Sequence, residues 1–410
     1  MSTGQLIVPV CLADLEANAY ASLPKNALDY YRSGANDMQT LRDNQDAFER
    51  IRLRPRILRD VSKVSTETTL LGHTVRTPIC FSPTAMQRMA HDEGEKATAR
   101  AAAKAKTCMI LSSWSTTTAE DTIKAGKDVP VVPESDSSAL PLYWFQLYVY
   151  HDRAAAERLI RRVEKAGYKA LVITVDTPFL GRRLADVRNV FKLPNHLTMA
   201  NFETKESNIT MANVLEKTQT TQQKESSLAA YVVSQIDPTL SWKDIAWVRS
   251  ITNLPIVVKG VLTAEDAKAA CELGCEGILV SNHGGRQLDG VLATIDALPE
   301  VVHVANEYSK KQNRPIEVYL DGGIRKGTDV LKALALGAKA VFLGRPVLYG
   351  LAHNGEEGVS LMLELLQKEL ELSMALAGCC STADLGPHNV QFGPYGSPYH
   401  PAHQSRASKL

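Results

Sequence analysis

The chain has 410 residues, of which 44% are hydrophobic and 22% are charged, and this length suffices for one large α/β domain or two smaller ones. Its formal net charge of +1 argues against a strongly basic nucleic-acid-binding protein, because such proteins bind through clustered cations. No run approaches the roughly 18 apolar residues of a membrane span, and the N-terminus lacks a secretory signal. We therefore expect a soluble intracellular protein whose partners include neither nucleic acid nor membrane.

The seven cysteines indicate a reducing compartment. Cys271 and Cys275 have the spacing of one helix face and Cys379 and Cys380 are adjacent, but neither pair has further ligands at zinc spacing. We interpret them as small buried residues and expect no metal site. The chain also lacks the G-x-G and G-K-[ST] patterns, which excludes the Rossmann and Walker phosphate sites.

The first part of the chain, residues 1–76, is predicted to form a helical cap. Its patterns indicate helices over residues 12–21, 24–33 and 41–50.

From residue 77 to 383, short apolar runs rich in β-branched residues alternate with helical patterns. Thr118 and Thr263 each precede early carboxylates, as helix N-caps do. Eight such units in this length favour a (β/α)₈ TIM barrel over an open doubly wound sheet. The eight runs predicted as strands are residues 79–85, 108–113, 143–148, 170–176, 255–259, 277–281, 316–321 and 340–344.

Polar residues stand at the end of every run, and in a barrel all of them face one rim, where barrel active sites lie. The sixth run leads into Ser281-Asn282-His283-Gly284-Gly285-Arg286. Imidazole can accept a proton near neutral pH, and a guanidinium can bind a carboxylate in two places. We therefore hypothesise that His283 removes a proton from an anionic substrate that Arg286 holds. Taken alone, the segment is also compatible with a glycine-rich surface turn.

Three segments fall outside the regular pattern. The connection 127–142 is predicted to be an excursion at the active rim, and the long loop 181–226 after strand 4 to be mobile and to cover part of that rim. The tail 384–410 is rich in Pro, Gly, Ser and His, so we expect no packed element there. It ends in Ser408-Lys409-Leu410, the tripeptide that the peroxisomal import receptor recognises.

Ordered motifs over about nine tenths of the chain carry a family resemblance. They include Ser82-Pro-Thr-Ala-Met-Gln87, Thr174-Val-Asp-Thr-Pro178, Leu180-Gly-Arg-Arg183 and Leu320-Asp-Gly-Gly323, besides the segment around His283. The chain resembles the FMN-dependent 2-hydroxy acid oxidases, closest to the peroxisomal glycolate oxidase branch. This resemblance implies one domain over residues 1–410, FMN as cofactor, a homotetramer, and oxidation of a short 2-hydroxy acid, with O₂ reduced to H₂O₂.

The resemblance also implies roles for individual residues. His283 would be the catalytic base, Asp176 would pair with its imidazolium form, and Tyr148 would bond near the substrate hydroxyl. The residues implied to bind or enclose the substrate are Arg183, Arg286, Tyr30, Trp114 and Leu180. Phe179, which precedes Leu180, departs from much of the family and leaves the substrate preference open.

For the cofactor, the resemblance implies that Lys259 lies beside the pyrimidine end of the flavin and that Asp321 contacts the ribityl chain. The residues implied to contact the flavin ring are Pro83, Thr84, Ala85, Ser112, Gln146, Thr174 and Ser281. Those implied to receive the phosphate are Gly323, Arg325, Gly344 and Arg345.

Three alternatives stay open at this point. A dehydrogenase of the same fold would pass its electrons to a cytochrome or quinone, although residues 1–76 are too few for a haem domain. An oxidase of longer 2-hydroxy acids would differ near Trp114 and Leu180. A catalytically silent flavin- or anion-binding barrel would not need a base such as His283.

Overall fold

The protein is a closed barrel of eight parallel strands covered by a helical cap. The computed structural model describes residues 7–130, 138–189, 191–202 and 235–392. Each strand is hydrogen-bonded to the next along the chain, and the eighth is hydrogen-bonded to the first. In chain order the barrel strands are Ile79–Phe81, Cys108–Leu111, Leu142–Leu147, Leu171–Thr174, Ile256–Val261, Gly277–Val280, Glu317–Asp321 and Ala340–Leu343. The predicted (β/α)₈ barrel and its eight strands are confirmed.

A helix packs outside the barrel after each strand. The predicted N-caps are confirmed, because the Thr118 and Thr263 hydroxyls accept hydrogen bonds from the third residues of their helices. Within the described residues, no helix is both long enough and apolar enough to cross a membrane. The outer helices are Gly94–Lys104, Ala119–Lys127, Arg153–Ala166, Lys243–Ile251, Ala264–Glu272, Thr294–Gln312, Gly327–Ala335 and Arg345–Ala377, and a short helix, Leu184–Asn189, precedes Lys243–Ile251 in the connection after strand four.

Side chains fill the interior of the barrel toward the amino ends of its strands. The rings of Trp144, Tyr319 and Phe342 contact one another with centroids 5.4 to 5.8 Å apart. A hairpin of Thr68–Leu70 and His73–Val75 closes this end and contributes two buried side chains to the interior cluster. Side chains therefore fill the barrel at this end, and the cavity described below lies at the carboxyl ends of the strands.

The cap consists of the helices Leu12–Ser22, Lys25–Arg32 and Gln39–Arg50, close to the predicted bounds. The Asp289 carboxylate accepts hydrogen bonds from the backbone N–H groups of Asp37, Gln39 and Thr40. It thereby satisfies donors that the start of the third cap helix leaves without intrahelical partners. The loop after strand six thus holds the cap over the barrel.

The segment after the last barrel helix packs against the cap, contrary to the prediction for residues 384–410. Val390–Phe392 forms an antiparallel strand with Ile51–Leu53, and the Val390 side chain is buried. The prediction is wrong for residues 384–392 because backbone pairing orders this segment despite its polar composition. Ser408-Lys409-Leu410 lies outside the described residues.

The described ends of the connection 127–142, residues 127–130 and 138–142, lie at the amino end of the barrel and not at the active rim, so that prediction is wrong for them. A connection from a helix into the next strand lies at the amino end of the barrel, and the Leu140 amide donates to the carbonyl of Thr74 in the closing hairpin. Residues 131–137 lie outside the description. Of the long loop 181–226, residues 203–226 lie outside it as well, so the mobility predicted for this loop stays a prediction.

Candidate active site

A cavity that opens to solvent lies between the cap and the carboxyl ends of the barrel strands. Every strand end contributes to its wall, as predicted from the polar residues there. The predicted residues that line it are Tyr30, Pro83, Thr84, Ala85, Ser112, Trp114, Gln146, Tyr148, Thr174, Leu180, Arg183, Lys259, His283, Arg286, Asp321, Gly323, Arg325, Gly344 and Arg345. Of the predicted set, Asp176 and Ser281 do not line the cavity and instead contact residues that do.

His283 is held at the cavity wall by contacts on both ring nitrogens. Its Nδ1 lies 2.9 Å from Oδ1 of Asp176, and its Nε2 lies 3.5 Å from the Tyr148 hydroxyl. The backbone of His283 has φ +58, a left-handed conformation that side chains other than glycine adopt at some cost. The Ser281 hydroxyl accepts from the His283 amide at 3.1 Å and supports this turn. The imidazole therefore presents Nε2 toward the cavity.

The protonation of this pair follows from burial and mutual attraction. Burial alone acts to raise the pKa of Asp176, but His283, Lys259 and the hydrogen bonds from His283 and Thr177 lower it to about 2. Burial lowers the pKa of His283, and Asp176 partly opposes this effect. Asp176 is therefore an anion and His283 a neutral base at neutral pH, ready to accept a proton.

Two arginines and a tyrosine line the same cavity as His283. The guanidinium of Arg286 lies 4.7 Å from the centre of the Tyr30 ring, and that of Arg183 lies 5.9 Å from it. Burial and then repulsion from Arg183 lower the pKa of Arg286, yet a guanidinium stays protonated at neutral pH. Two cations on one aromatic ring form a site for a carboxylate.

Tyr30 and Tyr31 differ in the use of their hydroxyl groups. The Tyr31 hydroxyl is buried and donates to the Met86 carbonyl at 2.9 Å. The Tyr30 hydroxyl has no partner among the residues that the structure describes, and its ring stacks on Phe191. This difference supports the choice of Tyr30, which the sequence motif alone could not test.

A second charged cluster lies at the ends of strands five to seven. The Lys259 ammonium is buried and donates to the Ser281 hydroxyl at 2.9 Å, and it lies 3.6 Å from Oδ2 of Asp321. The Ser82 hydroxyl also donates to that Oδ2 at 2.9 Å. Oδ1 of Asp321 is buried and has no hydrogen-bond partner in the described chain. The cluster thus presents one cation and one unused acceptor.

Hydrogen bonds order the side chains at the ends of strands two to four. The Gln146 amide donates to the Thr174 hydroxyl at 3.0 Å and accepts from the Ser112 hydroxyl at 3.4 Å. The pairing of Thr174 with Lys259 continues this row into strand five. A line of polar groups therefore runs across the floor of the cavity.

Backbone groups line the cavity at strands seven and eight. Gly322 and Gly323 have φ values of +92 and +85, and a Cβ at Gly344 would meet only one side chain, at 3.7 Å. The Arg345 side chain donates to the carbonyls of Tyr31, Gly284 and Ser33. Its guanidinium is therefore engaged in holding the cap.

Of the apolar residues Trp114, Leu180 and Phe179, the first two line the cavity and the third does not. Trp114 is buried, packs against Tyr148 at 4.6 Å, and donates from Nε1 to the Tyr150 hydroxyl. Leu180 also lines the cavity. The Phe179 side chain is 73% exposed and does not line it. Phe179 therefore does not shape the substrate pocket directly.

The third cap helix also contributes to the site, which the sequence did not predict. Leu41, Asn44 and Gln45 line the cavity, and Asn44 exchanges two amide hydrogen bonds with Asn282, at 2.9 and 2.8 Å. Their spacing places them on one helix face, which was the available signal, but nothing in the sequence showed that this face meets the barrel.

The two glycines after His283 serve the cap more than the cavity. A Cβ at Gly285 would lie 2.7 Å from the Leu41 amide nitrogen, and one at Gly284 would lie 2.9 Å from the Arg345 guanidinium. Both have positive φ. The space beside Gly285 is therefore occupied by the backbone of the third cap helix.

Comparisons with known proteins agree with this site. The family model described as FMN-dependent dehydrogenase matches residues 19–392. 2-Hydroxyacid oxidase 1 of Homo sapiens is 52% identical over 370 residues, which cover 90% of this chain and 93% of that protein. Glycolate oxidase 1 of Zea mays is 52% identical over 372 residues, covering 91% and 93%.

A solved structure of mandelate oxidase with benzoyl-formic acid shares the fold. It superposes with a TM-score of 0.79 at 38% identity, covering 94% of this chain and 99% of that one. The resemblance stated from the motifs is confirmed over most of the chain. The chain belongs to the FMN-dependent dehydrogenase family, with FMN as its cofactor.

Proposed function

We propose that this protein is a 2-hydroxy acid oxidase that converts a short substrate, glycolate foremost, to the 2-oxo acid while O₂ is reduced to H₂O₂. The observation that carries the proposal is the neutral, Asp176-paired His283 placed in one cavity with Arg183 and Arg286. Relatives named 2-hydroxyacid oxidase and glycolate oxidase support it. A binding protein would need the arginines but no base.

The residues present fit FMN. The buried, unpartnered Oδ1 of Asp321 can accept from a ribityl hydroxyl, and Lys259 supplies a cation beside it. Backbone N–H groups near Gly323 and Gly344, with Arg325, suit a phosphate after strands seven and eight. When bound, FMN supplies the electron-accepting chemistry. The edges of the flavin ring would form hydrogen bonds with Ser112, Gln146 and Thr174. One face of the ring would lie against Pro83, Thr84 and Ala85. Ser281 would act through its hydrogen bond with Lys259.

The substrate roles follow from the same geometry. Arg286 and Arg183 bind the substrate carboxylate as a pair, with the Tyr30 hydroxyl as a further donor. Nε2 of His283 takes a proton from the bound substrate, and Asp176 stabilises the resulting imidazolium. The Tyr148 hydroxyl lies 3.5 Å from Nε2. It forms a hydrogen bond near the substrate hydroxyl and orients that hydroxyl toward the base.

The test is addition of glycolate to the purified holoprotein without oxygen. We expect the flavin absorbance to bleach, and then to return with formation of H₂O₂ when air is admitted. Absence of bleaching with every short 2-hydroxy acid would refute the proposal. Bleaching that air does not reverse would instead favour a dehydrogenase with another electron acceptor.

The size of the substrate is a separate part of the proposal. Trp114 and Leu180 form the apolar wall, and their bulk favours a short acid. Comparison of kcat/KM for glycolate, lactate, 2-hydroxyoctanoate and mandelate tests this, since the relatives include proteins named for glycolate and for mandelate. A higher value for mandelate than for glycolate would contradict the assignment to short acids.

We also propose that the protein is imported into peroxisomes through Ser408-Lys409-Leu410. A fluorescent protein fused to the N-terminus should co-localise with a peroxisomal marker, and removal of the three residues should release it to the cytosol. Unchanged localisation after the removal would contradict this role.

The assembly is proposed to be a homotetramer of single-domain subunits that each span residues 1–410. Support comes from the family resemblance and from one family model over residues 19–392. Light scattering of the holoprotein should give four times the 44.8 kDa chain mass, and a monomer at micromolar concentration would contradict it.

A further inference from the structure

Asp186 is a carboxylate that stands next to the substrate arginines but takes no part in the mechanism above. It belongs to the short helix Leu184–Asn189, and its Oδ2 lies 3.4 Å from Arg183. Its Oδ1 is buried and has no hydrogen-bond partner in the described part of the chain. Asp186 does not line the cavity. Its charge therefore acts on the site through the arginines and not by contact with substrate.

The surroundings of Asp186 are those of a counter-charge and not of a strong structural ion pair. The single 3.4 Å contact is longer than a charge-assisted hydrogen bond of about 2.8 Å, and Nε of Arg183 is buried with no hydrogen-bond partner among the described residues. Burial raises the pKa of Asp186, attraction to Arg286 and Arg183 acts in the opposite direction, and repulsion from Asp29 adds to the burial effect. Asp29 itself is paired with Lys25, Arg32 and Asn189. Among the described residues, the cations that attract Asp186 are the two site arginines.

We propose that Asp186 is a specificity-determining residue that offsets one of the two site arginines, so that the site accepts a single carboxylate and disfavours dianions. With one carboxylate bound, Arg183 and Arg286 are balanced by that group and by Asp186. With a dicarboxylate bound, the same space holds one negative charge in excess. The inference rests on the proposed function for the identity of Arg183 and Arg286 as the substrate clamp.

The charge difference should appear as a selectivity between anions of equal length. Removal of Asp186 lowers the repulsion felt by any anion, and a dianion feels this repulsion twice. In Asp186→Asn we expect oxalate to bind about tenfold tighter and acetate about threefold tighter, as an order of magnitude for charges several ångströms apart in a partly screened site. The ratio of the two dissociation constants should therefore shift toward oxalate by about threefold.

The experiment titrates the holoprotein with acetate and with oxalate at neutral pH and follows the flavin absorbance. Neither anion is a 2-hydroxy acid, so the titration needs no turnover, and its outcome does not depend on whether glycolate is oxidised. Asp186→Glu keeps the charge and should keep the ratio of the unmodified protein. Asp186→Ser serves as a second neutral variant in case the asparagine does not fold.

A merely structural role would give a different result. If Asp186 only positioned Arg183, the neutral variants would weaken acetate and oxalate by the same factor and leave their ratio unchanged. That outcome, or an unchanged affinity for both anions, would overturn the proposal. A shifted ratio in the neutral variants, with the original ratio in Asp186→Glu, would support it.

Discussion

Nδ1 of His283 lies 2.9 Å from Oδ1 of Asp176, which joins the loop after strand six to the end of strand four. The two residues are 107 positions apart in the chain, so only closure of the barrel brings them together. The contact fixes which imidazole nitrogen remains for the substrate, because Nδ1 is engaged by the carboxylate. It makes His283 the residue on which the proposed chemistry depends.

Replacement of His283 by Gln should leave FMN binding intact and slow flavin reduction by glycolate about 10²- to 10⁴-fold, the usual contribution of a general base. Anaerobic stopped-flow absorbance measures this rate. The yellow colour of the purified variant is the control for folding and cofactor binding. Reduction at the unmodified rate would remove His283 from the mechanism.

Replacement of Asp176 by Asn should change the pH dependence of the same rate. The reactive form is neutral His283, so activity is present above the pKa of His283 and is lost as pH falls through it. Burial already places this pKa below its ordinary value of 6.5, and Asp176 opposes that shift.

Without the carboxylate, the pKa of His283 should fall further, and the acidic limb of kcat/KM should move to lower pH. The plateau should also drop, because a weaker base accepts the proton less readily and the imidazolium loses its partner. A pH profile of flavin reduction measures both effects. Movement of the limb to higher pH would contradict the assigned pairing.

The sequence predicted the barrel well because each strand is a short, mostly apolar run with polar residues at or near its carboxyl end, as in Gly277–Val280 followed by Ser281. It also predicted which strand ends meet, since parallel strands place them at one rim. The contributions of Asn44 and Asp186 were not predicted. Their roles arise from contacts with residues far along the chain or from a charge balance, and neither leaves a periodic pattern. The described ends of the connection 127–142 were misplaced because composition does not show at which end of a barrel a loop lies.

Replacement of Arg286 or Arg183 by Met should weaken binding of 2-hydroxy acids by about 1.5 to 3 kcal/mol, the scale of a hydrogen bond to a charged group. The two variants should differ in stability. The Arg286 guanidinium also donates to the carbonyls of Tyr30 and Ser33, whereas the ion pair of Arg183 is with Asp186.

We therefore expect a lower Tm for the Arg286 variant than for the Arg183 variant, with similar losses of affinity. Titration with acetate and thermal unfolding measure the two properties on the same samples. Unchanged affinity in either variant would contradict its place in the clamp.

Replacement of Asp289 by Ala should destabilise the cap. The carboxylate accepts from three backbone N–H groups at the start of the helix Gln39–Arg50, and loss of such a cap costs about 0.5 to 2 kcal/mol. Denaturant unfolding of the holoprotein measures the change. Asp37→Ala, at an exposed neighbouring carboxylate, is the matched control and should have little effect.

The same residue predicts a pH dependence of stability. Burial acts to raise the pKa of Asp289, but backbone hydrogen bonds from Thr40 and Gln39 lower it. A lowered pKa in the folded state means that this stabilisation is present above the unfolded-state pKa and is lost as pH falls through the folded-state value. On acidification below about pH 4, near the ordinary pKa of Asp, the free energy of unfolding should therefore fall less in the Asp289→Ala variant than in the unmodified protein. An equal acid dependence in both proteins would count against this assignment.

Replacement of Lys259 by Met should lower the reduction potential of the bound flavin. The ammonium is buried within 3.6 Å of Asp321, so its loss removes a cation from the site where the reduced cofactor carries negative charge. It also leaves Asp321 without its ionic partner, which should weaken the fold and FMN binding. We expect a shift of tens of millivolts to more negative potential, since about 30 mV corresponds to 1.4 kcal/mol for two electrons. Dye-coupled redox titration measures the shift, with the exposed Lys268→Met as control. Equal potentials in the two variants would show that Lys259 does not stabilise the reduced flavin.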